Sequence, residues 1–136
     1  MNATPLKASR SKHVFVQTSR AMGLACILAV IVLSLLPGNE RPHTGLSWQI
    51  AGQLEHVVAY FGTAVFLAIG FRTMKNRALA FSLLVGLAAV LEITQRLIPG
   101  RHSQFVDLVA SSLGAGLGIL AVVLMERLMG LSAESE

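Results

Sequence analysis

Long apolar stretches, each bounded by proline, glycine or charged residues, dominate the pattern of the chain. A transmembrane helix needs about 20 predominantly apolar residues, and four stretches reach that length. They predict helices over residues 19–37, 49–71, 77–98 and 105–126. The expected fold class is therefore all-α, an integral membrane bundle of four transmembrane helices.

Turn residues and an interfacial aromatic mark the ends of these stretches. Pro37-Gly38 follows the first helix and Pro99-Gly100 follows the third, and proline cannot continue a helix. Trp48 stands at the start of the second helix, as aromatic residues do at membrane interfaces. We read the first stretch as an uncleaved anchor, because no small-residue cleavage site follows it.

The pattern divides the chain into a membrane domain and two polar tails. The leader is polar and basic and lacks an apolar period, so we expect it to be disordered. The C-terminal tail is short and polar, and we expect the same of it. The three parts are residues 1–18, 19–126 and 127–136.

Composition excludes a soluble domain. Hydrophobic residues make up 54% of the chain and charged residues only 13%, and the mean hydropathy is +0.66. That balance is more apolar than one core of this size can hide. The formal net charge of +4 does not indicate nucleic-acid binding, because the basic residues flank the apolar stretches.

Basic residues also predict the orientation. Most Lys and Arg residues fall in the leader, the second connection and the tail: Lys7, Arg10, Lys12, Arg20, Arg72, Lys75, Arg77 and Arg127. The other two connections carry Arg41, Arg96 and Arg101. By the positive-inside rule both termini are cytoplasmic, and we expect a multi-pass protein of a bacterial inner membrane.

Ionisable residues interrupt the apolar stretches at one depth. Glu55, His56, Glu92 and Asp107 each lie near the end that this orientation places outside. At about 1.5 Å per residue, all fall within about 10 Å of the outer boundary. A charged group within the bilayer is costly and usually functional. No ionisable group occurs in the stretches Ala64 to Ile69, Leu79 to Leu84 and Gly116 to Val123 in the inner halves of helices two to four, which disfavours an ion pathway.

Helical spacing places these residues on shared faces. His56 lies four residues before Tyr60, Glu92 precedes Gln95 by three, and Asp107 precedes Ser111 by four, so each set forms a stripe. The fourth helix also carries Gly114 and Gly118, a spacing that lets helix backbones approach closely. We expect this face to pack inside the bundle, with a homodimer interface as the alternative.

The ordered set of motifs resembles the VanZ-like membrane proteins. The resemblance comprises Glu55-His56 with Tyr60, then Glu92-x-x-Gln95, then Arg101 and Asp107, and finally the glycine-rich run from Ser111 to Gly118. It covers roughly residues 20–125. It implies a bacterial multi-pass membrane protein of the cell envelope, and the namesake of the family is associated with low-level resistance to the glycopeptide teicoplanin.

Two functions fit the polar residues. In the first, an outward-facing site binds or acts on an envelope lipid or lipid-linked glycan. Its catalytic candidates are Glu55, His56, Glu92 and Asp107, and its substrate-binding candidates are Tyr60, Gln95 and Arg101. Such carboxyl groups supply a general base or bind a divalent cation, but no ligand spacing or cofactor motif is present. We therefore assign no metal and no cofactor.

In the second function, the protein is a non-catalytic accessory or structural subunit of envelope assembly. The same side chains then stabilise the bundle. Glu92 pairs with Arg96, Asp107 favours the positive end of the fourth helix, and His56 donates to Glu92 or Gln95. The small size of the bundle favours this alternative, and the shared depth of the polar residues favours the first. A transporter is less favoured than either, because four helices seldom enclose a pathway without dimerising.

The orientation is testable by labelling single-cysteine variants. With Cys26, the one native cysteine, replaced by alanine, we expect Trp48→Cys and His102→Cys to react in intact cells with a membrane-impermeant maleimide. We expect Lys12→Cys to react only after the membrane is permeabilised. Labelling of Trp48→Cys and His102→Cys only after permeabilisation would contradict the topology.

Overall fold

The structure is a computed structural model that describes residues 5–36, 48–98 and 104–130, with side chains from residues 9, 52 and 104 onward in the respective segments. The described residues form helices without strands. The helices are α1 (Pro5–Leu35), α2 (Trp48–Gly70), α3 (Met74–Gln95) and α4 (Phe105–Leu128). All four are long and apolar enough to cross a membrane, so the predicted fold class is confirmed.

Helix α1 differs most from the sequence expectation. It begins at Pro5 rather than near residue 19, so residues 5–18 are helical and do not form the disordered leader that we expected. Proline is tolerated in the first turn of a helix, and no further proline occurs before Pro37. The leader lacks an apolar period, but nothing in it stops a helix that the membrane segment has already nucleated.

The later boundaries are close to those predicted. Thr73 caps the N-terminus of α3, since its Oγ1 accepts a hydrogen bond from the Asn76 amide at 3.3 Å. This cap starts the helix at Met74, slightly earlier than predicted. Helix α4 extends to Leu128, and residues 131–136 of the expected tail lie outside the described residues.

Helices α2 and α4 form the most extensive contact of the bundle. A Cβ at Gly114 would clash with the carbonyl oxygen of Val57, and one at Gly118 would lie 2.5 Å from that of Phe61. Because both sequence numbers rise together along the contact, the two helices run parallel. Glycine is needed at these two positions because only its missing side chain lets the backbones approach this closely.

The glycine face is therefore occupied within one chain. Gly114 and Gly118 are buried against α2, as the packing alternative predicted. A homodimer through the same face would have to displace α2 from α4. The large apolar residues that remain exposed, such as Leu28, Leu83 and Leu113, lie elsewhere on the helices, where a bilayer would cover them.

Two arginines join the helices at one end of the bundle. Arg77 of α3 donates to the carbonyl oxygens of Ala68 and Phe71, at 2.9 to 3.2 Å, and its Nη2 lies 2.7 Å from Oε1 of Glu126 in α4. The last carbonyls of a helix have no partner within it. Arg77 therefore caps α2 while joining α3 to α4.

Arg20 of α1 acts on the same helix end. Its Nε donates to the carbonyl oxygen of Gly70 at 2.8 Å, and its guanidinium lies 4.9 Å from the centre of the Phe71 ring. Such a contact adds a cation–π attraction to the hydrogen bond. The sequence identified Arg20 and Arg77 only as topology markers, whereas the structure shows that they also hold three helices to the end of α2. We call these residues, with Glu126, the arginine clamp.

Alanine substitutions test the α2–α4 contact. Gly114→Ala should destabilise the protein by about 1–3 kcal/mol, because its Cβ meets the backbone of Val57. Gly86→Ala is the matched control, since a Cβ there meets nothing within 4 Å and alanine favours a helix. Thermal unfolding in detergent measures both. A Gly114→Ala midpoint equal to that of Gly86→Ala would contradict the packing.

The arginine clamp predicts a large difference between neighbouring basic residues. Arg77→Leu leaves Glu126 and the end of α2 without their donor, and removing one partner of a buried pair typically costs about 3–5 kcal/mol. Arg72→Leu removes an exposed side chain and should have little effect. Membrane abundance and the unfolding midpoint distinguish the two. If Arg77→Leu and Arg72→Leu lowered membrane abundance and the unfolding midpoint equally, Arg77 would contribute only its charge.

Candidate functional site

A cluster of polar side chains lies at the end of the bundle remote from the arginine clamp. Its members come from α2, α3 and α4, and we call it the polar cluster: His56, Tyr60, Glu92, Gln95, Asp107 and Ser111. Five of these six were candidates from the sequence. The parallel contact between α2 and α4 aligns their stripes, and α3 brings its own stripe against them.

His56 lies between two side chains of α4. Its Nδ1 is 3.3 Å from the hydroxyl oxygen of Ser111, and its Nε2 is 3.9 Å from Oδ2 of Asp107. The second distance allows an ion pair when the imidazole is protonated, but it is too long for a hydrogen bond. The side chains of His56 and Asp107 are 14% and 16% exposed. This edge of the polar cluster is therefore accessible.

Ser111 is the one member of the polar cluster that was not a candidate site residue in the sequence analysis. Its hydroxyl donates to the carbonyl oxygen of Asp107 at 2.8 Å, and only 2% of the residue is exposed. The available signal was its position four residues after Asp107, on the same stripe. That signal was weak because serine in a transmembrane helix commonly bonds the preceding turn, as Ser112 also does with Leu108.

Tyr60 lies inside the bundle. The residue is 2% exposed, and its ring lies 6.5 Å from that of His56, tilted by 36°. Its side chain interacts with Ser111 and lies within electrostatic range of Glu92. Tyr60 thus connects the α2–α4 part of the polar cluster to α3.

Gln95 and Glu92 provide the α3 side of the polar cluster. The Gln95 Nε2 donates to the carbonyl oxygen of Ser34 at 3.1 Å, which also ties α1 into this end of the bundle. Glu92 is 7% exposed, and its buried Oε1 has no hydrogen-bond partner among the described residues. Arg96, which the sequence offered as its partner, lies on the exposed side of α3.

Asp107 has the helix-terminal position that the sequence predicted. It lies in the first turn of α4, where Gln104 forms no side-chain cap. A carboxylate at this position interacts favourably with the positive N-terminal end of the helix dipole. The same side chain faces His56. In this geometry Asp107 can stabilise the N-terminus of α4 and also take part in a site with His56.

Two candidates stand apart from this arrangement. Glu55 is half-buried on α2, but within the described residues the structure shows no hydrogen bond or ion pair that joins it to the polar cluster. Its position one residue before His56 turns it by about 100° around the helix. Arg101 lies outside the described residues. In the described part of the chain, no three His, Cys, Asp or Glu residues are grouped closely enough to hold a metal ion.

The polar cluster is suited to binding and proton transfer more than to nucleophilic attack. His56 and Asp107 are partly accessible, and an imidazole held by two neighbours can accept or release a proton. Ser111 is nearly fully buried and its proton is already donated to a backbone carbonyl. A covalent role for Ser111 is therefore disfavoured.

Comparison with known proteins agrees with the sequence motifs. The sequence model of the VanZ/LLP1 family matches residues 5–126, which include all of the polar cluster and the arginine clamp. The comparisons with curated proteins and with solved structures gave no match. Since the match covers nearly the whole chain, this multi-pass membrane protein belongs to the VanZ-like family.

Proposed function

We propose that the polar cluster is an outward-facing site that binds or acts on an envelope lipid or a lipid-linked glycan. The observation that carries the proposal is the placement of His56 between Ser111 and Asp107, with two of these side chains partly accessible. Buried polar groups in a membrane bundle are expensive, and their concentration at one end favours a function there. With cytoplasmic termini in a bacterial inner membrane, this end meets the outer leaflet.

Each residue has a distinct role in this proposal. His56 transfers a proton to or from the bound head group, and Asp107 stabilises the imidazolium that forms. Tyr60 and Gln95 form the polar wall behind them. Glu55, on the neighbouring face of α2, contributes a carboxyl group at the rim, and Arg101 holds a phosphate or carboxylate of the substrate.

The resemblance to the family's namesake connects this site with glycopeptide resistance. In the proposed orientation the site opens at the outer face of the membrane, toward the cell envelope. A protein that binds or alters a lipid-linked envelope component there would change how much drug is tolerated. Glycopeptide susceptibility is therefore a suitable readout for the site, alongside the composition of the envelope glycolipids.

A specific observation favours the second function, a non-catalytic subunit of envelope assembly. Tyr60, Gln95 and Ser111 are nearly fully buried, and Gln95 and Ser111 donate their hydrogen bonds within the chain. Side chains that are satisfied internally stabilise a bundle without a ligand. In this alternative only the surface around His56 and Asp107 meets a partner.

Conservative substitutions separate the two functions. In cells that depend on the protein for a measurable glycopeptide tolerance or glycolipid profile, His56→Gln and Asp107→Asn should reduce the effect by about 100-fold or more if His56 is a general acid or base. Both variants should reach wild-type abundance in the membrane. Ser111→Ala should reduce the effect less, because it only loosens the position of His56.

Ser112→Ala is the matched control, since its hydroxyl bonds the backbone of the same helix as Ser111 does. It should behave as wild type. Arg77→Leu is the stability control, because it acts at the opposite end of the bundle. If His56→Gln and Asp107→Asn lose function only in step with abundance, as Arg77→Leu does, the non-catalytic function is correct.

A further inference from the structure

Glu92 has a carboxyl oxygen inside the bundle that accepts no hydrogen bond from the described residues. The residue is 7% exposed, and its Oε1 is buried without a partner among the described residues. In folded proteins roughly 90% or more of buried polar groups have a partner, so an exception calls for an explanation. Glu92 is a buried member of the polar cluster and lies within electrostatic range of Tyr60, so a head group bound in the polar cluster could supply the missing partner.

The neighbouring side chains show that this position needs a donor. Gln95 already donates its amide to the carbonyl oxygen of Ser34, and Ser111 donates its hydroxyl to that of Asp107. Thr94, on the adjoining face of α3, likewise donates to Val90. The donors of Gln95, Ser111 and Thr94 are therefore engaged with the backbone, and the Tyr60 hydroxyl interacts with Ser111. The Glu92 Oε1 has no donor among the described residues.

Charge at this end of the bundle favours a cationic donor. Three carboxyl groups lie at this depth in the described residues, those of Glu55, Glu92 and Asp107. His56 of α2 faces one of them, Asp107, and Arg96 lies on the exposed side of α3. A cation that also donates hydrogen bonds would complement both the charge and the empty acceptor.

We propose that Glu92 binds the protonated primary amine of a head group. The inference rests on the proposed function and narrows its substrate to amine-bearing molecules. Helix α3 packs on α2 less extensively than α4 does, and we place the entry of the head group at this weaker α2–α3 contact. The Tyr60 ring adds a face on which an ammonium group is favoured.

Lipid competition tests the proposal on the purified full-length protein. The protein is equilibrated in detergent with equal amounts of phosphatidylethanolamine, phosphatidylcholine and phosphatidylglycerol, and the retained lipids are measured by mass spectrometry. Phosphatidylcholine is the critical comparison, because its ammonium has a charge but no N–H donor. Wild type should retain phosphatidylethanolamine in preference to both others.

Substitution of Glu92 should remove this preference. Glu92→Gln keeps the shape but loses the anionic acceptor, and the preference over phosphatidylcholine should fall on the order of tenfold, as for a hydrogen bond to a charged group. Glu92→Asp should give an intermediate value. Glu134→Gln, which removes a carboxyl group of the C-terminal tail, is the control for net charge and should retain the preference. Unfolding midpoints confirm that each variant is folded.

Competition with free ethanolamine distinguishes a lipid-borne amine from a soluble amine. Displacement of phosphatidylethanolamine by millimolar free ethanolamine indicates that the amine alone is recognised, and its failure to compete indicates a lipid-borne amine. Equal retention of phosphatidylethanolamine and phosphatidylcholine by wild type, or an unchanged preference in Glu92→Gln, overturns the proposal and leaves Oε1 to a water molecule. If His56→Gln still loses its cellular effect in that case, the proposed function stands without the amine.

Discussion

The close parallel contact between α2 and α4 is the constraint on which the rest of the structure depends. Two glycines one helical turn apart allow the backbone of α4 to approach Val57 and Phe61. Lipid provides no hydrophobic force between helices, so association relies on such close packing and on polar contacts. The contact fixes the relative register of the two helices, and that register places Ser111 and Asp107 against His56. A shift of one residue would separate them.

The two ends of the bundle use polar groups in opposite ways. At one end, the arginine clamp satisfies the last carbonyls of α2 and pairs Arg77 with Glu126. Its hydrogen bonds are all made within the chain, and its effect is to close the end. At the other end, the polar cluster leaves His56 and Asp107 partly exposed, and one buried carboxyl oxygen, Oε1 of Glu92, has no hydrogen-bond partner among the described residues. Incomplete satisfaction of this kind is typical of a binding site rather than of a purely structural contact.

Several features could be predicted because they depend on local sequence alone. The number of spans follows from apolar length, and the depth of Glu55, His56, Glu92 and Asp107 follows from counting along a helix. The stripes formed by residues three and four apart are equally local, so Tyr60 and Gln95 could be selected beside them. The predicted start of α1 was wrong because polarity alone does not end a helix, and no proline or glycine lies between Pro5 and the predicted start at residue 19.

The sequence by itself thus determined an all-helical, four-span membrane protein of the VanZ-like family and the position of its polar residues near one end of helices α2, α3 and α4. Only the tertiary structure decided which of those residues meet. It buried Tyr60, brought Ser111 to His56 and left Glu55 on another face. It also buried Oε1 of Glu92 without a partner among the described residues. The same structure assigned the Gly114 and Gly118 face to α2 of the same chain. The physical reason is that hydropathy fixes how deep a residue lies, whereas the rotation of each helix and its neighbours depends on packing across the whole bundle.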